Sequence, residues 1–354
     1  MNYRYVRKTG RRPSEDGGTE EKAFAEITGT DAPARFLEIP EEIGGLRVAS
    51  IGDHAFSGRK ELEEVRLPST VRKLGRFCFY DCESLKRLEL TDAASDIGDG
   101  TIRECGALRE IYVHLTRGSW RVVRDLEEDS MRKMRFTVLE EETEPSSGKS
   151  RVVRTYRFLI PAWHPEDRED THARAIHPKI VGAGYAYRQT VTRTEFHVRE
   201  YDSLFEKAEA DGVRTASEIA LLRLSCPEEL SEEAEEAYTA YLKNHADEIL
   251  LYLAAPDLSA RYDDVRPSKE SRESLSGKSG GLFPSDGSGE EVIPAGERRD
   301  MTALMLQRTT PGREAVAQAA DAASRAGETE ICSMLLDYEH RCFGPSGGGE
   351  IFIL

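Results

Sequence analysis

The sequence predicts an α+β multidomain protein in which a short solenoid of 23-residue coils precedes a small β unit and a helical C-terminal domain. Three observations support this: a 23-residue period in the N-terminal third, two aromatic-rich and β-branched segments in the middle, and helix start signals beyond residue 202. With 354 residues the chain also exceeds one ordinary core. The predicted domains are an N-terminal capping segment (1–35), the repeat domain with its C-terminal cap (36–139), a linker (140–150), a β-sheet unit (151–201), a helical domain (202–342) with a disordered insert (263–299), and a tail (343–354).

The repeat appears as columns of equivalent residues. Leu62, Leu85 and Leu108 are each 23 residues apart. One coil cannot bury its apolar face alone, but three or more stacked coils can. The glycines that share the period are expected where the chain turns sharply, because glycine lacks a Cβ atom. The other columns with the same period are Ile51, Leu74 and Ile97; Gly52, Gly75 and Gly98; Phe56, Phe79 and Ile102; Val65, Leu88 and Ile111; and Leu67, Leu90 and Val113.

A variant coil precedes these. Leu37 and Ile39 correspond to Val65 and Leu67 at a distance of 28 residues, and a loop insertion at 44–48 accounts for the five extra residues. Residues 36–113 resemble the BspA-type leucine-rich repeats of bacteria, with their recurring I-P, I-G, A-F, Cys and Leu positions. The resemblance implies a leucine-rich repeat solenoid and a small buried cysteine at the turn of each coil.

Cys82 and Cys105 share one repeat column, so stacking could also bring them within disulfide range. Cys78 is expected to pack peripherally. Beyond the repeat, 118–123 and 134–139 are expected to close the last coil, since repeat arrays need caps.

The residues between the inward pairs of each main strand are predicted to face outward. Their charges alternate in sign from coil to coil, which favours pairing across the ladder. The face is either a solvated, self-paired surface or a protein-docking surface anchored by Phe36 and Tyr112, since aromatic residues flanked by Arg carry interface energy. The candidate protein-binding residues form two columns: Phe36, Glu64, Arg87 and Glu110, and Glu38, Arg66, Glu89 and Tyr112.

The β unit is predicted from two strands, 152–160 and 187–198, which are rich in Tyr, Phe, Val and Thr. In the helical domain, 215–218 reads as a capping box, Ser231 as a helix N-cap, and Gly327 as the end of an Ala-rich helix. The helical pair around Gly327 is similar either to an ankyrin repeat or to an unrelated hairpin. Residues 263–299 are predicted to be disordered because Ser, Gly, Glu and Lys bury little surface.

Composition limits the function classes. A formal net charge of −16 disfavours nucleic acid, although the N-terminus is basic at Arg4, Arg7, Lys8, Arg11 and Arg12. No apolar run predicts a membrane span or a signal peptide, so a cytoplasmic location is expected. No nucleophile elbow or phosphate-binding loop is present, which favours a non-enzymatic protein without a cofactor.

The predicted function is a scaffold or adaptor that binds a protein partner through the repeat face or the helical domain. One alternative is a metal-binding protein or metal-dependent enzyme, because imidazoles and carboxylates are zinc ligands. The candidate ligands are His164, His172, His177 and His197, whose spacing matches neither the His-Glu-x-x-His helix nor a zinc-finger pattern. A second alternative is a surface adhesin exported without a classical signal peptide.

Overall fold

The computed structural model describes residues 2–13, 19–143, 150–165, 180–255 and 293–344, with backbone only at 11–13, 19 and 20. The described residues form two compact units that divide between Leu204 and Phe205. Apart from the strand pair β13 and β14, the strands of the first unit form two sheets, ordered β1-β2-β5-β7-β9 (with β4 beside β5) and β12-β11-β10-β8-β6-β3. The strands are β1 (Tyr3–Pro13), β2 (Thr19–Thr30), β3 (Phe36–Glu38), β4 (Glu42–Ile43), β5 (Leu46–Ile51), β6 (Glu64–Arg66), β7 (Lys73–Leu74), β8 (Arg87–Thr91), β9 (Asp96–Ile97), β10 (Glu110–Leu115), β11 (Met134–Thr143), β12 (Ser150–Ile160), β13 (His164–Pro165) and β14 (Ile180–Val181).

The 23-residue solenoid is confirmed. Strands β3, β6, β8 and β10 pair in parallel, and each coil places the same repeat position on the same rung. Leu62, Leu85 and Leu108 are buried. The rungs of the sheet also stack inward side chains that are almost fully buried: Leu37, Val65, Leu88 and Ile111, continued by Phe136 and Phe158 of β11 and β12.

The glycine column has a different cause from the one predicted. Gly75 and Gly98 do come directly before turns, but neither residue has the left-handed φ that would make the turn itself require glycine. Instead, a Cβ atom on Gly75 would lie 2.4 Å from the Asp53 amide nitrogen, and one on Gly98 would lie 2.6 Å from the Arg76 amide nitrogen. Glycine is therefore required because the backbones of adjacent coils approach closely.

Left-handed backbone occurs at two other repeat positions. Each has a φ of 54° to 72° and recurs every 23 residues, whether or not the residue is glycine. The same turn is thus built in each coil by neighbouring contacts rather than by residue type. The two columns are His54, Phe77 and Gly100, and Gly58, Asp81 and Glu104.

Ion pairs link equivalent positions of neighbouring coils. Arg76 contacts Asp53 at 3.1 Å, one repeat earlier in the chain. Each of these exposed pairs stabilises the fold by less than about 1 kcal/mol, but together they match charge between coils. Four further pairs have the same 23-residue separation: Lys60 with Glu83, Glu63 with Lys86, Arg66 with Glu89, and Lys73 with Asp96.

The repeat cysteines are free thiols inside the core. The Cys82 thiol donates a hydrogen bond to the Phe56 carbonyl oxygen at 3.2 Å, and Cys105 donates to that of Phe79 at 3.1 Å. Each thiol therefore ties its coil to the preceding one. The expectation for Cys78 was wrong: it is fully buried rather than peripheral, and burial raises the pKa of its thiol.

The segments after the last repeat extend the same sheet. Helix α1 (Arg121–Glu128) follows β10, and β11 then pairs in parallel with β10. The predicted linker 140–150 begins and ends in strand, since β11 runs to Thr143 and β12 starts at Ser150, while residues 144–149 lie outside the described part. Arg154 of β12 pairs with Glu140 of β11 at 3.6 Å.

The separate β unit was also a wrong prediction, because β12 pairs antiparallel with β11 of the repeat sheet. The second predicted strand, 187–198, is instead the end of helix α2 (Gly184–Tyr187), a 3₁₀ helix (Arg188–Thr190), a single bridge, and the first residue of α3 (Val198–Ser203). Its aromatic residues bury themselves by packing: the Phe196 ring stacks on Phe158 of β12 with centroids 4.4 Å apart.

The described residues of the second unit that lie in regular structure are helical: α4 (Phe205–Ala210), α5 (Val213–Ser225), α6 (Glu232–Asn244), α7 (Ala246–Ala254), α8 (Ala295–Arg308), α9 (Arg313–Ala326) and α10 (Thr329–Phe343). Ser231 caps α6 by accepting a hydrogen bond from the Ala234 amide, and Gly327 ends α9 in left-handed conformation, both as predicted. None of the described helices has the length and apolar character that crossing a bilayer requires.

Two predictions in this unit need correction. The capping box at 215–218 lies inside α5, which begins at Val213, and Glu218 instead accepts a hydrogen bond from the Tyr252 hydroxyl at 2.8 Å. The disordered insert predicted for 263–299 lies outside the described residues up to 292, but its last five residues are the first turn of α8. The predicted tail also lies outside the described residues from 345 onwards.

Candidate protein-interaction surface

The candidate surface is the outward side of β3, β6, β8 and β10. The parallel register places the eight predicted residues in two columns, as the spacing required. Phe36, Glu64, Arg87 and Glu110 share one column, and Glu38, Arg66, Glu89 and Tyr112 share the other. That these residues bind a partner stays a prediction.

The charged residues of the surface neutralise one another along the ladder. Arg66 lies between two carboxylates, 3.2 Å from Glu89 and 3.9 Å from Glu38. Arg87 also contacts Glu89 at 3.2 Å, so Glu89 holds two guanidinium groups. The Glu89 side chain is only 17% exposed, so its two contacts restrain the Arg66 and Arg87 side chains, which lowers the entropy cost of binding a partner.

The two aromatic residues differ in availability. The Phe36 side chain is 59% exposed on β3, the last strand of the sheet, with the Arg35 guanidinium carbon 5.9 Å from its ring centroid. The Arg87 guanidinium lies over the Tyr112 ring at 3.7 Å, within the range of a cation–π contact. Phe36 is therefore the more accessible apolar anchor, while Tyr112 presents a ring already covered on one side.

His114 belongs to the surface although it was not among the predicted residues. Its Nδ1 atom lies 2.6 Å from Glu141, and its Nε2 atom lies 3.5 Å from Glu89. His114 follows Tyr112 by two residues on β10, so period-two alternation would have placed it on the outward face. Its contact with Glu141 could not be read from the repeat, because β11 lies outside the 23-residue period.

A groove of about 750 Å³ runs along the carboxyl ends of these strands. Its lining includes Glu38, Arg66 and Glu89 of the ion-pair network and residues of the turns after β3 and β6. The groove thus offers fixed charges of both signs beside apolar turn residues. Its lining residues are Glu38, Ile39, Pro40, Glu41, Arg66, Leu67, Pro68, Ser69, Glu89, Thr91, His114, Thr116, Glu141 and Ser150.

The proposed metal ligands are only partly visible. His164 lies on β13, and the His197 imidazole contacts Glu195 at 3.6 Å. His172 and His177 lie outside the described residues. Within the described ranges, no group of three or more His, Cys, Asp or Glu side chains is arranged to hold a metal ion.

Comparison with known proteins agrees with the repeat architecture. Residues 36–119 match the model of the BspA type leucine rich repeat region in six copies, which confirms the resemblance for this part of the chain. No curated protein matches.

Three solved structures are among those that match. A leucine rich cell surface protein from Faecalibacterium prausnitzii A2-165 is 26% identical, with a TM-score of 0.24, over 31% of this chain and 31% of that one. A T. pallidum leucine rich repeat protein is also 26% identical, with a TM-score of 0.24, over 30% of this chain and 51% of that one. A leucine-rich repeat protein from Bacteroides ovatus is 21% identical, with a TM-score of 0.20, over 30% of this chain and 35% of that one. The chain thus spans about a third to a half of the length of these relatives.

Proposed function

We propose that the chain is a non-catalytic protein-interaction module, a scaffold or adaptor, that docks a partner on the outward face of β3, β6, β8 and β10. The observation that carries the proposal is the groove along this face, in which Glu38, Arg66, Glu89 and His114 are held by mutual contacts. The repeat family match supports an interaction or surface module in general terms. No cofactor is part of the proposal.

The face has the composition of an interface centre with a polar surround. Phe36 supplies exposed apolar surface, while Arg66 and Arg87 supply the guanidinium groups that interfaces favour. Four parallel strands span about 14 Å across the ladder, since neighbouring strands lie about 4.8 Å apart. A standard interface buries about 800 Å² on each partner, so the partner would also cover the neighbouring turns.

The test begins with affinity purification of the full chain from its native cells and mass spectrometry, which gives the partner. The dissociation constant for that purified partner is then measured for the wild type and for the variant Phe36→Ala with Tyr112→Ala. We expect the variant to bind about five- to thirtyfold more weakly, the equivalent of 1–2 kcal/mol.

Val152→Ala is the matched control, because Val152 is an exposed apolar residue of β12 in the same sheet, outside the eight residues. It should bind as the wild type does, and all variants should keep their melting temperature. If the double variant binds with unchanged affinity, the repeat face is not the docking site. Loss of binding in Leu336→Ala, an exposed residue of α10, would then assign the site to the helical unit.

We further propose that this module acts in the cytoplasm. The free thiols of Cys78, Cys82 and Cys105 support this, because reduced cysteines are typical of a reducing compartment. Fractionation of the native cells, with the chain detected by antibody, tests it: protein found in the cytoplasmic fraction supports an adaptor, whereas protein on the cell surface would favour the adhesin alternative.

A further inference from the structure

Strand β1 is the terminal strand of its sheet. It pairs with β2 in antiparallel register from Tyr3 to Pro13. Within the described part of the chain, no further strand pairs with its outer edge. Half of the backbone N–H and C=O groups of an antiparallel edge strand point away from its neighbour, so this edge can accept another strand.

The tip of the β1–β2 hairpin is a two-stranded ribbon. Strand β2 pairs with β5 only from Ala25 to Ile27, so the tip half of the hairpin contains β1 and β2 alone. Proteins protect edge strands by keeping them short or by placing proline and bulges in them. Here the bulge lies at Arg4 and Tyr5, near one end, and the proline is Pro13, at the other.

The edge also carries apolar side chains within a basic strand. Tyr5 is 39% exposed and Val6 is 41% exposed. The strand contains five basic residues and no acidic one, in a chain whose net charge is −16. The ion pairs described for β1 are long: Arg4 lies 3.8 Å from Asp31, and Lys8 lies 3.4 Å from Glu26. Because the Arg4 and Lys8 side chains are exposed, each can exchange its carboxylate for one on a bound peptide at little cost.

We infer that the outer edge of β1 binds an extended acidic peptide by strand addition. Backbone hydrogen bonds to the edge would supply affinity, while Arg7 on one face of the strand and Lys8 on the other would each select carboxylates on its own face of the added strand. A second copy of β1 is the wrong occupant, since it would place basic residues opposite basic residues. This site lies on the other sheet from the groove and does not depend on the proposed docking function.

The experiment uses the full chain and a fluorescein-labelled ten-residue peptide of alternating Glu and Val, with fluorescence anisotropy as the readout. A Lys and Val peptide tests charge selectivity. Two further Glu and Val peptides test backbone pairing: one is N-methylated at every odd-numbered amide and the other at every even-numbered amide. One of the two should bind at least about tenfold more weakly, because only one set of amides faces the edge. Raising the salt concentration to 0.5 M should weaken binding by about five- to tenfold.

The variant Arg7→Glu with Lys8→Glu should bind the Glu peptide at least about tenfold more weakly and should bind the Lys peptide more tightly than the wild type does. Arg193→Glu with Arg199→Glu changes the net charge equally at exposed positions elsewhere and should bind as the wild type does. Phe36→Ala with Tyr112→Ala should leave peptide binding unchanged, which separates this site from the outward face of β3, β6, β8 and β10. Equal binding of both N-methylated peptides, no binding of the Glu peptide, or a β1-dependent dimer in sedimentation velocity would overturn the inference.

Discussion

The close approach of neighbouring coils makes Gly75→Ala a sharp test of the solenoid. A Cβ atom at this position would lie 2.4 Å from the Asp53 amide nitrogen and 2.5 Å from the Gly52 carbonyl carbon. Both are backbone atoms, so no side chain can rotate away. Because ordinary contacts of a Cβ atom begin near 3.4 Å, the two coils would have to separate locally by 3.4 − 2.4, or about 1 Å.

That separation would break a hydrogen bond between the coils as well as disturb their packing. The Gly75 amide donates to the Ile51 carbonyl at 2.8 Å, and an extra 1 Å would take this bond beyond hydrogen-bond range. Overpacking costs about 1–3 kcal/mol and one lost hydrogen bond about 1 kcal/mol. We therefore expect Gly75→Ala to lower the free energy of unfolding of the first unit by about 2–4 kcal/mol.

Urea unfolding followed by tryptophan fluorescence measures this loss selectively. The chain has two tryptophans, Trp120 and Trp163, and both belong to the first unit. Gly106→Ala is the matched control, because a Cβ atom there would meet no atom within 4 Å and its φ is not left-handed. It should change stability by less than about 0.5 kcal/mol. An unchanged midpoint for Gly75→Ala, or an equal loss in both variants, would refute the close-packed coil stack.

Three further predictions concern buried groups of the same unit, each read by tryptophan-monitored urea unfolding. Leu85→Ala should cost about 2–5 kcal/mol, whereas the exposed Val152→Ala should be near neutral, and an equal midpoint for Leu85→Ala would contradict its interior position. Tyr201→Phe should cost about 1–3 kcal/mol, because the Tyr201 hydroxyl donates a hydrogen bond to the Leu159 carbonyl at 2.8 Å and accepts one from the Leu159 amide at 3.1 Å. No loss of stability would mean that water satisfies this strand edge. Burial raises the pKa of Glu127 well above its ordinary 4.5, so the folded state binds this proton more tightly than the unfolded state does. The free energy of unfolding should therefore fall as the pH rises above about 4.5, by up to about 1.4 kcal/mol per pH unit. Glu127→Gln should remove that slope, and an identical pH profile in the variant would exclude Glu127 as its source.

The repeat part of the fold could be predicted because equivalent residues recur every 23 positions in the sequence. Columns such as Leu62, Leu85 and Leu108 specify a register directly, so the burial of the coils and the two outward columns followed from spacing alone. The physical role of the glycines did not follow, because close approach between backbones and a left-handed turn favour the same residue. Only the geometry at Gly75 distinguishes the two causes.

Beyond the repeat the sequence was less informative. Phe196 and its neighbours have the composition of a strand, but their rings pack onto Phe158 of β12, and tertiary burial overrides local propensity. Residues 140–143 were included in a linker by composition, but they end β11, where Glu140 pairs with Arg154 of β12. The contact of His114 with Glu141 could not be predicted either, since Glu141 comes from a strand whose register no periodicity specifies.

The matched charges between coils have a consequence for how such an array can change its length. In one column Asp53, Arg76 and Asp99 follow one another at 23-residue intervals, so the sign reverses with every coil. Excising the single middle coil would bring Asp53 against Asp99, and repulsion would replace attraction. Excising two neighbouring coils from a longer array would restore opposite signs. The gain or loss of an even number of coils is therefore favoured over that of an odd number.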